Sequence, residues 1–579
     1  MTLPTTAPRA ADVPPAPVAG ALRLRPVVHA TPLAAGVHVR GWTSSFTVDG
    51  GPGLWRLWRA LAAALATGAD PERLAALRAR AGTGDAVETL LAQLHEHDML
   101  VRVPAGWPAD GDTGPAGAGA PPAGVARWLE AVAPCPVTAW DRIRAVRVEV
   151  TGQGRLAAAA ARALTAAGAR VDRGTGGGRG RVVLAAGPVA VAAGADGDAG
   201  FAGAATGASR VGADTAAAVA EHDAVALAVR LGLAELDGPD AETPVLAALV
   251  GGAAAHRLVC AVAGLPDPGA DPAGPGPVSA AGVPGVFVAR LDPLRGRYHP
   301  WTGPDAGAGG PEPGGAGTDR LDRALALADV LTDPELGPLP PVRIADLPQV
   351  PAGLVTATSS AGTAAGVGVT VDVARVLAVV GAVELATGGA GTGSVLRAVG
   401  ADRRHADGTV LRRLVHLLAP AGPAAGDASW AGSPVARQWW KALTLRFGVR
   451  ARVEVLRVAE GVHVASVRGD PDGRELGWAV EADPADAVAF ALLAAVGDAQ
   501  HRAADGTAGA VLVAPNGATP APPQADRTRV PWHGGAWAWP APVGDVEEAL
   551  QERLRGLTGA DPHPVPAGRL AGAAVAVPR

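Results

Sequence analysis

The spacing of hydrophobic and polar positions alternates between the patterns of strands and of helices along the chain. In the first hundred residues these patterns predict one compact domain. Short alternating runs predict strands at 22–30, 36–42 and 44–50. Apolar residues at three- and four-residue spacing then predict helices that begin near residues 51, 71 and 85, followed by a closing strand at 99–103. Three strands followed by three helices is the order of a winged helix.

A second block begins with an apolar strand at 145–150, a glycine loop and an alanine-rich helix. Gly152, Gly154 and Ala157 have the G-x-G-x-x-A spacing that lets backbone N–H groups and a helix N-terminus face a phosphate. The spacing is a weak signal in a chain this rich in Ala and Gly. The stretch 174–180 offers no acidic side chain for a ribose, so we interpret the loop as vestigial.

The third block carries long apolar helices at 365–389 and 481–500. Stretches made almost purely of Pro, Gly, Ala and Asp separate the blocks. With these separators, the sequence predicts a disordered tail at 1–21 and linkers at 104–134 and 304–319. Between them it predicts a winged-helix domain at 22–103, a second domain at 135–303 and a third domain at 320–579. The fold class is therefore multidomain α/β and α+β.

The composition of the chain disfavours several classes of function. The net charge of −5 disfavours a general nucleic-acid binder. The third predicted helix is also acidic, with Asp85, Glu88 and Glu96, where a DNA reader would carry Arg and Lys. No long apolar run free of helix breakers predicts a membrane span. The two cysteines, Cys135 and Cys260, cannot form a four-thiolate zinc site, and we expect a reducing cytoplasm.

The first block resembles the PqqD-like element that recognises leader peptides in ribosomal peptide pathways. That resemblance implies that a leader adds as a strand beside the third strand and lies against the third helix. It places Phe46 and Val48 on the receiving strand, with Val87, Leu91 and Leu94 in the groove. The alternative for each of these side chains is plain core packing. A winged-helix DNA regulator is a further alternative, which the acidic helix disfavours.

The second block is similar to the ThiF-like, or E1-like, superfamily, which implies a Rossmann-type domain. The apolar helix at 244–264 and the segment GRYHPWTG at 296–303 are in the expected order, but Thr302 stands where a zinc-binding Cys would be. The arginines and aspartate of adenylating members are not recognisable. We therefore expect a degenerate domain in which His256 and His299 are structural.

The third block resembles YcaO domains, which use ATP and Mg²⁺ to close azoline rings. Seven positions keep the YcaO pattern: Gly366, Gly368, Thr370, Ala374, Ala378, Ala382 and Glu384. Five positions have lost its polar residues: Val367, Leu377, Gly381, Leu385 and Gly497. Glu384 and Gln500 remain alone, and one carboxylate cannot organise Mg²⁺ around a triphosphate. The resemblance thus implies an emptied site, while an unrelated Ala-rich α/β domain is the alternative.

A separate motif, QWWKALTLRFGV at 438–449, joins Trp439 and Trp440 to the cations Arg437, Lys441 and Arg446. Tryptophan and arginine are enriched at the centres of interfaces, so the motif predicts either a binding hot spot or one core Trp with a second Trp covering its edge.

The order of the three blocks resembles the F-type (ocin-ThiF-like) proteins of azole-forming and thiopeptide pathways. It implies a non-catalytic subunit that binds a precursor leader and delivers it to a separate YcaO cyclodehydratase. No catalytic residue, metal or cofactor is expected in this chain, and ATP and Mg²⁺ belong to the partner enzyme. A flavin azoline dehydrogenase and a second copy of the chain, through 369–383, are further candidate partners. The alternative is a divergent cyclodehydratase or E1-like adenylating enzyme.

Overall fold

The computed structural model describes residues 20–577 with internal gaps. The gaps are 52, 80–83, 109–118, 177, 179, 205, 208–212, 234–242, 271–282, 302, 304–319, 390–393, 421–427, 505–508 and 521–542. The chain forms two units, the first comprising Met1–Ala273 with Phe287–Arg297 and the second Gly274–Val286 with Tyr298–Arg579. The predicted tail at 1–21 and the predicted linker at 304–319 lie almost wholly outside the described residues.

The first unit opens with five strands and three helices. These are β1 (Ala21–Leu24), β2 (His29–Leu33), β3 (Gly36–Arg40), β4 (Ser45–Asp49), α1 (Leu54–Ala66), α2 (Pro71–Arg78), α3 (Gly84–Glu96) and β5 (Leu100–Val103). The single strand predicted at 22–30 is wrong, because Pro26 has no backbone N–H and the chain turns there into two strands. β1 pairs with β5, whereas β2, β3 and β4 form an antiparallel sheet.

α1 packs on β3, and α2 and α3 pack on α1 and on each other. Asp70 caps α2 by accepting a hydrogen bond from the Arg73 amide at 2.7 Å, and Pro71 occupies the first turn. Val37 and Val39 from β3 meet Trp58 and Leu61 from α1 in the core. Burial of this apolar surface holds the block together.

Two further helices follow, α4 (Ala123–Val132) and α5 (Pro136–Ala145). α4 lies inside the stretch 104–134 that we predicted to be a linker, so that prediction is wrong for this part. Its Ala126 and Leu129 are buried in the core that continues into the next sheet. Apolar residues at three-residue spacing were the signal for this helix.

The remainder of the first unit is built around an eight-stranded sheet in the order β13-β12-β10-β9-β8-β6-β7, with β11 beside β9. Its elements are β6 (Arg147–Gly152), α6 (Gly154–Ala166), β7 (Arg170–Arg173), β8 (Arg181–Ala186), β9 (Val189–Asp196), β10 (Ala199–Ala202), β11 (Thr206–Gly207), α7 (Ala213–Leu231), α8 (Pro244–Ala263), β12 (Gly285–Leu291) and β13 (Leu294–Pro300).

The expected Rossmann-type arrangement is limited to one β-α-β unit. β6 and β7 run parallel across α6, but β8, β9 and β10 follow one another in antiparallel pairs. Two-residue turns join these strands, at Gly187–Pro188 and at Gly197–Asp198, and strands joined so tightly must run antiparallel. The ThiF-like character of this block, which the resemblance implied, stays a prediction.

α8 is the one helix among the described residues that is long and apolar enough to cross a membrane. It packs against α6 and β9, with Leu246, Val250 and Leu258 fully enclosed. Its apolar character is thus accounted for by packing within the unit.

The second unit holds three three-stranded sheets, β14-β15-β20, β16-β22-β21 and β17-β18-β19. Its strands are β14 (Gly353–Ser359), β15 (Gly362–Gly368), β16 (Val395–Gly400), β17 (Ala451–Ala459), β18 (Val462–Gly469), β19 (Glu475–Glu481), β20 (Val511–Val513), β21 (His563–Val565) and β22 (Ala571–Ala576). Its helices are α9 (Arg320–Leu331), α10 (Val371–Ala386), α11 (Arg403–Leu418), α12 (Pro434–Lys441), α13 (Pro484–Ala503) and α14 (Val543–Thr558).

α10 and α13 are the central helices of this unit. α10 packs on β14 and β15, and α13 packs on β18 and β19. Thr370 and Asp483 cap them by accepting hydrogen bonds from backbone amides of their first turns. Nearly every residue from Val373 to Ala382 is buried. The apolar face at 369–383 is therefore occupied by the unit's own strands, which removes it as the surface expected to pair with a second copy.

Candidate functional site

The outer edge of β4 is an open sheet edge. β4 pairs with β3 on one side, and no strand pairs with its other side among the described residues. The hydrogen bonds from the Gly41 amide to the Ser44 carbonyl and from the Gly50 amide to the Ala35 carbonyl fix the alternation of the ladder. The backbone groups of Ser45, Thr47 and Asp49 consequently point away from β3.

The two faces of β4 differ in exposure. Ser45, Thr47 and Asp49 are all exposed residues, whereas Phe46 between them is buried. Trp42, in the turn that leads into β4, leaves 71% of its surface exposed. An exposed aromatic ring beside an open strand edge can contact an added strand. None of these four residues was among the predicted site residues, although the polar alternation of 45–49 is a signal in the sequence.

The five predicted peptide-binding residues lie in the same block, but mostly inside it. Val87 and Leu94 are completely enclosed, and Phe46 and Leu91 are less than a tenth exposed. Phe46 stacks on His97 with ring centroids 5.1 Å apart. Only Val48 is partly accessible. These side chains form the core under β4 and α3, and a contact with peptide stays a prediction for each of them.

Two buried arginines fasten β1 to the structure around it. Arg23 donates to Glu130 of α4 at 2.7 Å and to the carbonyls of Trp107 and Pro108. Arg25 donates to the carbonyls of Glu130 and Ala133 and to Asp98. Burial raises the pKa of Glu130, and the adjacent Arg23 opposes that rise. The block that carries β4 is thereby anchored on α4, a link that sequence patterns could not reveal.

The glycine loop before α6 contacts neighbouring backbone of the same unit. Gly152 has φ of +146°, and a Cβ there would lie 2.5 Å from the Arg181 carbonyl oxygen. The Gln153 amide, which could face a phosphate, donates to the Gly178 carbonyl at 3.2 Å. Gly154 is the first residue of α6. These contacts explain Gly152 by strand packing, and the vestigial character of Gly152 and Gly154 stays a prediction.

The histidines expected to be structural have protein neighbours. His256 makes an edge-on contact with Trp128, with ring centroids 5.5 Å apart. His299 lies 3.0 Å from a carboxylate oxygen of Asp333. Within the described ranges, no group of three or more His, Cys, Asp or Glu side chains is placed to hold a metal ion. Thr302 lies outside the described residues.

The second unit contains a cavity of about 500 Å³ between α10, α11 and β19. Leu377, Glu384, Arg413, Glu475 and Trp478 are among the residues that line it. Its carboxylates are engaged by cations or hydrogen-bond donors of the unit. Glu475 contacts His416 at 3.3 Å, and this hydrogen bond holds the pKa of Glu475 below its usual value.

Positions that have lost polar residues relative to the YcaO pattern are filled by apolar packing. Val367 and Leu377 are at most 1% exposed. A Cβ on Gly381 would lie 2.6 Å from Val513 Cγ2 and 2.7 Å from Ala364 Cβ. A Cβ on Gly497 would overlap the side chain of Val367. Leu385, the fifth position, is half-buried.

The two surviving polar residues serve the fold. Glu384 accepts from Arg413 at 2.8 Å and from the Val399 amide at 3.2 Å. Gln500 is 1% exposed, accepts from the Ala352 amide and donates to the carbonyls of Pro348 and Ala352. Both side chains have their hydrogen-bonding capacity largely used within the unit.

Arg412 lines the cavity and forms two buried ion pairs. It lies 2.8 Å from Glu481 and 2.6 Å from Glu547, and all three side chains are at most 1% exposed. Burial acts to lower the pKa of Arg412, but the two carboxylates outweigh it and raise this pKa. The three residues are far apart in sequence, so no local pattern predicted them.

A site for ATP and Mg²⁺ does not fit these residues. Mg²⁺ requires free oxygen ligands that also reach the phosphates, and the cavity's carboxylates already neutralise Arg413 and contact His416. The buried Val367 and Leu377 offer no donor to a phosphate.

Comparison with known proteins gives distant structural similarities. No protein-family model matches the chain, and no curated protein matches it. A solved heterocyclase in complex with substrate and cofactor is 12% identical, with a TM-score of 0.48 over 96% of this chain and 94% of that one. Escherichia coli MccB with AMPCPP and MccA is 8% identical, with a TM-score of 0.31 over 48% of this chain and 96% of that one. MccB alone is 9% identical, with a TM-score of 0.30 over 48% of this chain. Similarities this distant do not identify a function.

Proposed function

We propose that this chain is a non-catalytic subunit that captures the leader of a ribosomally made precursor peptide and presents it to a separate cyclodehydratase. The observation that carries the proposal is the open outer edge of β4, where the backbone groups of Ser45, Thr47 and Asp49 point away from β3. An extended peptide can pair with such an edge through main-chain hydrogen bonds. Peptide capture of this kind needs no catalytic group.

The core beneath β4 supports binding by strand addition. Buried Phe46, stacked on His97, and fully enclosed Val87 and Leu94 hold the receiving strand on a packed base. A receiving strand that is already ordered loses little conformational entropy when a peptide binds. Trp42 provides an accessible ring beside the edge. Selectivity for the leader would come from such side-chain contacts.

The cavity of the second unit supports the non-catalytic part. Glu384 is neutralised by Arg413, and Val367 fills the space beside Gly497. A chain that holds the leader without transforming it would raise the effective concentration of the core peptide at a partner's active site. The thiopeptide-type pathway, the YcaO partner and the PqqD-like character of the first block belong to the same proposal.

Thr47→Pro in the full-length chain tests the proposal. Proline removes the outward N–H of Thr47, and edge strands tolerate proline. Thr47→Ala is the matched control, since both variants lose the contact between Thr47 Oγ1 and His38 Nδ1 at 3.0 Å but only proline loses the amide. The probes are fluorescein-labelled leader segments of candidate precursor peptides from the same genome, and binding is followed by fluorescence anisotropy.

We expect the wild type and Thr47→Ala to bind the leader with a Kd of about 1 µM or tighter. Thr47→Pro should weaken binding about tenfold, the cost of one unmade main-chain hydrogen bond. Circular dichroism and thermal unfolding should be alike for the two variants. No binding by the wild type, or equal binding by Thr47→Pro and Thr47→Ala, would disprove strand addition on β4.

A further inference from the structure

The segment Pro434–Arg450 carries four cations and no carboxylate, in a chain whose net charge is −5. The cations are Arg437, Lys441, Arg446 and Arg450. Lys441 is the only lysine in the whole sequence, and every other residue in the Lys and Arg count is an arginine. The segment is therefore unusual in both charge balance and residue type.

The segment forms α12 followed by a π-helical turn at Ala442–Arg446. Ala436, Trp439 and Leu443 face the core, and Trp440 makes an edge-on contact with Trp430 at 5.8 Å between ring centroids. The two tryptophans thus follow the second alternative given by the sequence, one in the core and one at its edge. π-Helical turns are rare and recur at functional positions.

Arg437 and Lys441 lie four residues apart on α12, which places them in one row, and the exposed Leu445 and Arg446 follow in the π-helical turn. Leu445 leaves 78% of its surface exposed, although Leu443 beside it is fully buried. Arg437, Lys441 and Arg446 are exposed and form no ion pair with a described residue, whereas the nearby Arg452, Arg468 and Arg502 do. We call Arg437, Lys441, Leu445 and Arg446 the basic face.

We propose that the basic face is a docking surface for an acidic protein segment that carries an apolar anchor residue. Unneutralised cations around an exposed leucine are complementary to carboxylates around an apolar side chain. A nucleic-acid backbone offers nothing to Leu445, and a single leucine buries too little apolar surface for a stable membrane contact. Packing of Trp439 and Leu443 beneath the face keeps it ordered before binding. The proposal is independent of the leader-binding function.

A defined probe tests this docking surface on the full-length chain. The probe is a fluorescein-labelled peptide of Glu with Leu at every fourth position, and the matched peptide has Ser in place of every Leu. The protein variants are Arg437→Glu/Lys441→Glu and Leu445→Ser. The control is Arg457→Glu, an exposed arginine of β17 in the same unit. Anisotropy is measured at about 50 and about 300 mM salt.

We expect the Glu/Leu peptide to bind with a Kd on the order of 10 µM at low salt and more weakly at high salt. The double charge reversal and Leu445→Ser should each weaken it about tenfold, Arg457→Glu less than about twofold, and the Ser peptide should bind about tenfold more weakly. No binding, equal binding of both peptides, or insensitivity to the variants overturns the proposal. Tighter binding of duplex DNA or anionic vesicles through the same residues also overturns it.

Discussion

Val367 occupies the space that a side chain at Gly497 would need. Val367 lies on β15 and Gly497 on α13, and a Cβ built on the glycine would overlap both methyl groups of the valine. In the YcaO pattern that the third block resembles, these two positions hold a Lys and a Glu. Val367 and Gly497 are therefore coupled, since the valine side chain is accommodated only because its neighbour has none.

A double-mutant cycle tests this coupling. Gly497→Ala alone should lower the free energy of unfolding by about 1–3 kcal/mol, because overpacking outweighs the helix propensity gained. Val367→Ala alone should cost about 1–2 kcal/mol through the cavity it creates. With Val367→Ala in place, only the Cβ of residue 367 remains, 3.0 Å from the new Cβ, so Gly497→Ala should cost less than about 1 kcal/mol.

Urea unfolding followed by tryptophan fluorescence measures the cycle, and Trp439 reports on the same core. Gly252→Ala is the control, since a Cβ at this helical glycine of the first unit meets nothing within 4 Å. Additive effects of the two single substitutions would contradict the coupling.

Glu384 should matter for stability and not for ATP chemistry. Glu384→Gln leaves Arg413 without its carboxylate partner at 2.8 Å, in a site where the two side chains are 12% and 22% exposed. We expect a loss of about 1–2 kcal/mol in the free energy of unfolding. Phosphate release from ATP by this chain with precursor peptide should be at background for both the wild type and the variant. Turnover by the wild type that Glu384→Gln abolishes would revive the enzyme alternative.

Periodic elements were predictable from sequence, and tertiary partners were not. The helices that became α1, α10 and α13 and the strands β3 and β4 follow the predicted apolar periods, because those periods set which face is buried. Pro26 and the tight turns at Gly187 and Gly197 carried local signals that the predictions did not use. The pairs Arg23–Glu130 and Arg412–Glu547 join residues more than a hundred positions apart, which no local pattern encodes.

His405 should make the second unit sensitive to mild acid. It is 2% exposed, its Nδ1 accepts from the Ala401 amide at 3.1 Å, and Thr519 contacts its Nε2. Burial lowers the pKa of His405 to about 4, although Asp402 acts to raise it. In the unfolded chain this pKa is about 6.5, so between about pH 6.5 and 4 the unfolded state binds the extra proton. The stabilisation from neutral His405 is therefore complete above pH 6.5 and lost as the pH falls toward 4, by about 3 kcal/mol.

His405→Asn separates this contribution from those of other groups. Asparagine retains an acceptor for the Ala401 amide and has no titrating ring, so the variant should be less stable than the wild type at pH 7 but lose less stability between pH 7 and 4.5. Hydrogen exchange of α11 peptides reports the local free energy at each pH. His563→Asn, at an exposed position of β21, is the control and should leave the pH dependence unchanged. An identical pH dependence in the wild type and His405→Asn would show that His405 does not supply the acid sensitivity.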